Sequence, residues 1–155
     1  MKYLLVFIAV ILWCATIYTF AVTKRHCAYS HVYGKDLCLV AKTLAERERE
    51  DDRPIQFDPD IHVRHVHARD STLSFDAHMN ETKQDIIARI WGYPVRQEKV
   101  DTFLAGHLSY GICHYAANDW LKTFLANKGT AAYHVLDRNG QSIGETTLTR
   151  LRCPR

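Results

Sequence analysis

The chain has 155 residues and a mass of 17.9 kDa, which is a length for one globular domain and little else. Its 20 basic residues exceed its 17 acidic residues so slightly that the net charge is +3, and no arginine-rich stripe occurs, which argues against a nucleic-acid partner. An apolar fraction of 47% excludes an intrinsically disordered chain.

The chain begins with an apolar segment. Residues 3–22 carry no charge, and basic residues flank them on both sides. A membrane-spanning helix needs ~20 such residues at a rise of ~1.5 Å each. The alternative is a signal peptide cleaved after Thr19-Phe20-Ala21, but the run is longer than the ~7–15 apolar residues typical of such a peptide. We therefore predict a transmembrane anchor at residues 1–22, followed by one domain at residues 23–155.

The cysteines indicate the compartment in which the domain lies. The charges on the two sides of the apolar segment do not, because they are nearly equal. Apart from Cys14 in the apolar segment, the chain has Cys27, Cys38, Cys113 and Cys153. An even set in a small domain is typical of disulfides formed in an oxidising compartment, and four cysteines allow three pairings. The alternative is four reduced thiols in the cytosol; without a CxxC pair, a zinc ribbon is not indicated. We predict a single-pass protein of the bacterial inner membrane with its soluble domain in the periplasm.

The first part of the domain is predicted to contain a helix and a β-hairpin. Apolar residues recur three and four positions apart in residues 35–52, which predicts a helix, and prolines and aspartates predict a loop at 53–60. Residues 61–68 and 73–79 flank a short turn and predict paired strands. In the second strand the residues expected to face the core are Leu73, Phe75, Ala77 and Met79.

Three further helices are predicted in the middle of the domain. Two lie at residues 82–90 and 98–113, and a third is expected to begin at an Asn118 cap and to end at Lys128-Gly129. The apolar residues that define the first of the three are Ile86, Ile87 and Ile90.

The domain is predicted to end in a second hairpin. Residues 131–136 and 142–151 flank Asn139-Gly140, a dipeptide typical of hairpin turns. The order of these elements predicts an α+β fold, with a small antiparallel β-sheet packed on one face by helices.

Histidines are the candidate metal ligands. His65 and His67 are expected to share one face of their strand while His62 points to the other, because strand side chains alternate. With His78 and Asp76 on the paired strand they could form a zinc or nickel site. No helical HExxH pair accompanies them, so solvent-facing histidines are the favoured interpretation, and we predict no metal and no cofactor.

Sequence motifs do not indicate an enzyme. Cys113 and His114 are adjacent, but a catalytic base must reach its nucleophile in space and be oriented by a third group. The chain lacks the GxSxG, P-loop and dinucleotide-binding motifs. A protein-binding function is favoured, with Trp120, Phe124 and Tyr133 as candidate partner contacts; the alternative is that these aromatic residues belong to the core.

The C-terminal part of the chain resembles the β-type pilotins of type II secretion. The residues that carry this resemblance are Asp101-Thr102-Phe103-Leu104, Cys113, Leu121, Gly129, Tyr133, Asn139-Gly140, Thr147 and Cys153. The resemblance covers residues 98–153 and implies a small antiparallel sheet against helices. It also implies a Cys113–Cys153 disulfide, which leaves Cys27 with Cys38, and a partner that is a segment of a secretin.

One feature of such pilotins is missing. They are lipoproteins, whose modified cysteine follows a small residue, whereas Trp13 precedes Cys14 and His26 precedes Cys27. We therefore predict a non-enzymatic, membrane-anchored periplasmic accessory protein of an envelope secretion machine, similar to a pilotin. The alternatives are an immunity or inhibitor protein that neutralises a toxin, and an accessory subunit of a conjugation or other secretion machine.

Overall fold

The computed structural model of the chain describes residues 27–50, 55–151 and 153. The transmembrane anchor predicted at residues 1–22 lies outside these ranges. Within them, no helix combines the length and the apolar character that crossing a membrane requires.

The described part of the chain contains two β-sheets and four α-helices. The elements, in chain order, are β1 (Tyr29–Ser30), β2 (Lys35–Asp36), α1 (Leu37–Glu50), β3 (Ile55–Asp58), β4 (Ile61–Arg69), β5 (Thr72–Met79), α2 (Lys83–Trp91), α3 (Gln97–His114), a single 3₁₀ turn (Ala116–Asn118), α4 (Asp119–Ala126), β6 (Thr130–Leu136) and β7 (Ser142–Leu148). Strands β1 and β2 form a two-residue ladder before α1.

The main sheet has five strands in the order β3-β4-β5-β6-β7. Neighbouring strands are antiparallel, except that β5 and β6 are parallel. The predicted α+β class is confirmed, but the prediction of a purely antiparallel sheet is wrong at its centre. The reason is the connection: α2, α3 and α4 all lie between β5 and β6, and a long helical crossover can return the chain in the same direction.

The core lies on one face of this sheet. Along β5 the four residues predicted to face the core are all buried, while the residues between them are partly exposed. The rings of Phe75 on β5 and Tyr133 on β6 stack with centroids 4.9 Å apart. Leu104, Leu108 and other apolar residues of the helices complete this core. We call the opposite side of the sheet the open face, because its side chains stay partly accessible to solvent.

The predicted helix α2 begins and ends as its sequence indicates. The hydroxyl of Thr82 accepts a hydrogen bond from the N–H of Asp85 at 3.1 Å, and Gly92 takes the left-handed conformation with φ of 70°. Helix α4 begins directly after Asn118, as expected, but the Asn118 side chain does not cap it: it is buried and donates instead to the carbonyl of Gly111, 3.3 Å away.

The end of α4 also differs from the expectation. Lys128, not Gly129, takes the left-handed conformation, with φ of 68°. Gly129 has a different role: a Cβ there would lie 2.6 Å from two atoms of the Phe124 ring, so only glycine allows this close approach.

The loop predicted at residues 53–60 contains a strand. Residues Ile55–Asp58 form β3, which pairs with the start of β4 through Ile55 opposite Val63. A four-residue edge strand beside prolines lacks the alternating pattern by which strands are recognised in a sequence.

Candidate binding surfaces

An apolar groove runs along α2 and the loop after it. It encloses about 390 Å³ and is lined by Gln84, Ile87, Ala88, Gly92, Tyr93, Pro94 and Val95. Tyr93 projects into solvent and is 57% exposed. Since an exposed aromatic side chain beside an apolar groove is typical of protein-binding sites, this groove is a candidate for one.

A second depression lies between the end of α2 and the start of α3. It encloses about 510 Å³ and is lined by Ile90, Trp91, Arg96, Glu98, Lys99, Thr102 and Phe103. The Trp91 and Phe103 rings meet edge to face, with centroids 5.6 Å apart. Arg96 and Lys99 outnumber Glu98 among its charged residues, so the local charge is positive. We call the groove and this depression together the α2 surface.

Periodicity alone did not reveal this surface. It placed Ile86, Ile87 and Ile90 on one apolar side of the helix, but only the first of these is fully buried. Ile87 and Ile90 are partly exposed and line the two depressions. The Gly-Tyr-Pro sequence after the helix was the available signal, since it presents an aromatic side chain where the chain must turn.

The open face of the sheet is rich in histidine. His62, His65 and His67 on β4, His78 on β5 and His134 on β6 all lie there. The expectation that His62 points away from His65 and His67 is wrong, because the register shifts between Val63 and His65. This β-bulge adds Arg64 as an extra residue, so that Val63 faces the core while His65 faces the open side.

Asp76 lies at the centre of the histidines. It is opposite His65 on β4 and opposite His134 on β6. Its Oδ1 lies 3.6 Å from His134 Nδ1. Burial and then the charge of Arg64 lower the pKa of His78 below its ordinary value of 6.5, although Asp76 opposes that shift. The candidate ligands named from the sequence, His65, His67 and His78, are therefore not all grouped around Asp76. His67 lies opposite Ser74, which is the next pair of residues on this face.

The four cysteines lie in two pairs at disulfide distance. The Cα atoms of Cys113 and Cys153 are 5.3 Å apart, and those of Cys27 and Cys38 are 5.7 Å apart. This is the pairing that the pilotin resemblance implies.

Cys27, Asp36 and Cys38 also place three potential metal-ligand atoms within 4.8 Å of one another. Two sulfurs joined in a disulfide offer no thiolate to a metal. Asp36 accepts a hydrogen bond from the N–H of Leu39 at 2.8 Å, which stabilises the start of α1. These three side chains are therefore accounted for by structural roles.

The candidate aromatic contacts differ in accessibility. Phe124 and Tyr133 are buried in the core, so the expectation that they contact a partner is corrected: neither has surface to offer. Trp120 is partly buried, and the guanidinium of Arg47 lies over its ring, 5.3 Å from the centroid. Trp120 remains a predicted partner contact.

Cys113 and His114 do not form a nucleophile–base pair. The Cys113 sulfur is taken by Cys153, and His114 Nδ1 lies 2.9 Å from the carbonyl oxygen of Tyr110. The imidazole also stacks on the Tyr110 ring, with centroids 3.9 Å apart. The two side chains therefore have separate structural partners.

Comparison with known proteins gives a likeness of fold. No family model and no curated protein sequence matches this chain. It is similar to the type II secretion system pilotin AspS from Vibrio cholerae, with a TM-score of 0.50 and 17% identity over 74% of this chain and 89% of that one. It is equally similar to EpsS, the pilotin of the Vibrio vulnificus type 2 secretion system, with a TM-score of 0.50 and 17% identity over 77% of this chain and 93% of that one. The pilotin resemblance is therefore confirmed at the level of the fold.

Proposed function

We propose that this chain is a non-enzymatic accessory protein of a bacterial envelope secretion machine, and that it binds a segment of a secretin. The observation that carries the proposal is the likeness of its fold to two type II secretion pilotins, each of which is covered over nearly its whole length. Because one fold can serve several functions, the binding surface and the partner need evidence of their own.

The proposed location is the periplasm, with the domain tethered to the inner membrane. The uncharged run at residues 3–22 supports a membrane anchor. The two cysteine pairs at disulfide distance support an oxidising compartment.

We assign partner binding to the α2 surface. Its centre is apolar, and Tyr93 offers a large side chain of the kind that dominates binding energy in protein interfaces. The neighbouring Arg96 and Lys99 favour a partner segment that carries acidic residues beside its apolar ones. An amphipathic secretin segment of that composition would bury its apolar side chains in the α2 groove.

Affinity capture from native membranes tests the partner. The tagged full-length protein is solubilised with the membranes of its own host, and captured proteins are identified by mass spectrometry. Enrichment of an outer-membrane secretin supports the proposal. Enrichment of a toxin instead would establish the immunity or inhibitor alternative, and capture of conjugation subunits without a secretin would also overturn the proposal.

Paired tyrosine variants test the surface. Tyr93→Ser is expected to reduce secretin capture at least about tenfold, because it removes the proposed anchor. Tyr110→Ser is the matched control, since Tyr110 is exposed to a similar extent, 59% against 57%, but lies on α3 outside the α2 surface. Equal capture by both variants, with melting temperatures unchanged, would rule out the α2 surface.

A further inference from the structure

We propose that the open face of the sheet carries a divalent transition-metal site, in which Asp76, His65 and His134 are the ligands and His78 is a fourth. This site lies on a different surface from the α2 groove, so it is independent of the proposed secretin binding. The class of ligand is a borderline-soft cation that prefers imidazole and carboxylate, for which Zn²⁺ is the representative.

The argument begins with the register of three neighbouring strands. Asp76 on the central strand β5 has His65 directly opposite on β4 and His134 directly opposite on β6. Adjacent strands lie ~4.8 Å apart, so both imidazoles can lean over the carboxylate between them. His134 Nδ1 is already 3.6 Å from Asp76 Oδ1.

The fourth candidate lies on the same strand as the carboxylate. His78 is two residues beyond Asp76, and residues two apart on a strand share a face. Asp76 and His78 would bind a metal from one strand, and His65 and His134 from the two neighbouring strands. The metal would then receive ligands from more than one direction, as tetrahedral coordination requires. All four side chains are on a solvent-accessible face, so they can change rotamer on binding a metal at little cost.

The β-bulge is an independent reason to assign a function to this face. Without the bulge, regular alternation from the buried Val63 through Arg64 would direct His65 towards the core. The bulge directs His65 to the open face, opposite Asp76. Bulges interrupt the ladder and are found where a strand must redirect a side chain, often beside functional sites.

The surrounding charges make a clear prediction about affinity. Arg64 is exposed on the same strand and its positive charge opposes a bound cation, whereas Glu145 on β7 lies opposite His134 and favours one. His67 is on the same face but opposite Ser74, so it is not expected to contribute a ligand.

Zinc titration of the untagged, full-length, oxidised protein tests the site. We expect calorimetry to show one Zn²⁺ bound per chain, with a Kd of about 10 μM or tighter. His134→Gln and Asp76→Asn should each weaken binding at least about tenfold, and Arg64→Gln should strengthen it. His67→Gln is the matched control and should leave the Kd within about twofold of the unaltered chain.

Two further measurements test whether a change in zinc binding could instead reflect a loss of folding or zinc binding to sulfur. Metal-free variants must keep the melting temperature of the unaltered chain, so that lost binding does not reflect lost folding. Co²⁺ in place of Zn²⁺ should give d–d absorption without a thiolate charge-transfer band, which excludes Cys27 and Cys38 as ligands. The proposal is wrong if no zinc binds below about 1 mM, if His67→Gln weakens binding as much as His134→Gln, or if a thiolate band appears.

Discussion

Asp137, in the turn between β6 and β7, accepts a hydrogen bond at 3.1 Å from the backbone N–H of Lys83, the first residue of α2. The same buried carboxylate accepts hydrogen bonds from the N–H groups of Asn139 and Gln141, each at 2.8 Å. One side chain therefore holds the second hairpin turn together and attaches it to the helix that forms the α2 surface. Because three backbone donors depend on this carboxylate, we expect its replacement to destabilise the domain.

Asp137→Asn is expected to lower the free energy of unfolding at neutral pH. It should also make this free energy depend less on pH in the acidic range. Burial tends to raise the pKa of Asp137, but the hydrogen bonds from Gln141, Lys83 and Asn139 outweigh burial and hold the pKa below its ordinary value of 3.8. A carboxylate with a lowered folded-state pKa stabilises the fold above its unfolded-state pKa, and that contribution is lost as the pH falls through the folded-state value. Urea unfolding of both proteins from neutral pH down to about pH 3 measures the effect.

Asp119→Asn is the matched control for this prediction. Asp119 is 69% exposed, and its carboxylate is bonded to the Lys122 ammonium 2.7 Å away. Exposed ion pairs contribute little to stability, so the control should follow the unaltered chain. If the free energy of unfolding fell equally with pH in the unaltered chain and in Asp137→Asn, the stabilising role assigned to the Asp137 carboxylate would be contradicted.

Removing the two cysteine pairs should destabilise the domain unequally. The paired residues are 40 positions apart for Cys113–Cys153 and 11 apart for Cys27–Cys38. If disulfides act by restricting the unfolded chain, the longer loop contributes about 4 kcal/mol and the shorter one about 3 kcal/mol. Double serine variants, unfolded in urea without reductant, give the two values.

The compartment can be tested with the same cysteines. Alkylation of protein from its native host, before and after reduction, followed by mass spectrometry, counts the free thiols. Two disulfides leave these four cysteines unlabelled until reduction. Complete labelling without reduction would contradict both the pairing and the periplasmic location.

The sequence predicted those parts of the fold that depend on neighbours in the chain. The β4–β5 hairpin is defined by a short turn between alternating residues, and α2 by the spacing of Ile86, Ile87 and Ile90. The parallel pairing of β5 with β6 was not predictable in this way. Thr72 pairs with Thr130, although three helices separate them in the chain. No local sequence pattern shows which two strands become neighbours in the sheet.

The candidate surfaces were only partly predictable for similar reasons. The histidines were visible in the sequence, but the bulge at Arg64 that brings His65 onto the open face has no signature in an alternating strand. His134, which lies opposite Asp76, is separated from it by more than 50 residues and joins it only through the parallel pairing. The α2 surface was missed because helical spacing marks apolar residues without showing which of them a neighbour covers.

Helix α3 binds the main chain of β7, the strand at one edge of the main sheet. Gln97 Nε2 donates to the carbonyl of Ile143 at 2.7 Å, and Asp101 Oδ1 accepts from the N–H of Glu145 at 3.3 Å. Gly144 lies between these two positions, where a Cβ would come within 2.8 Å of Gln97 Nε2. The absence of a side chain at this one residue therefore permits the helix to approach the strand.

The double variant Gln97→Ala/Asp101→Ala should destabilise the domain and promote self-association. Each lost hydrogen bond costs about 1 kcal/mol, and the freed N–H and C=O groups of an edge strand can pair with another chain. Urea unfolding measures the first effect, and light scattering after size exclusion measures the second. Thr102→Ala is the control, because the Thr102 hydroxyl donates only within α3, to the carbonyl of Glu98 at 2.8 Å. A double variant as stable and as monodisperse as the control would show that the two side chains do not protect this edge.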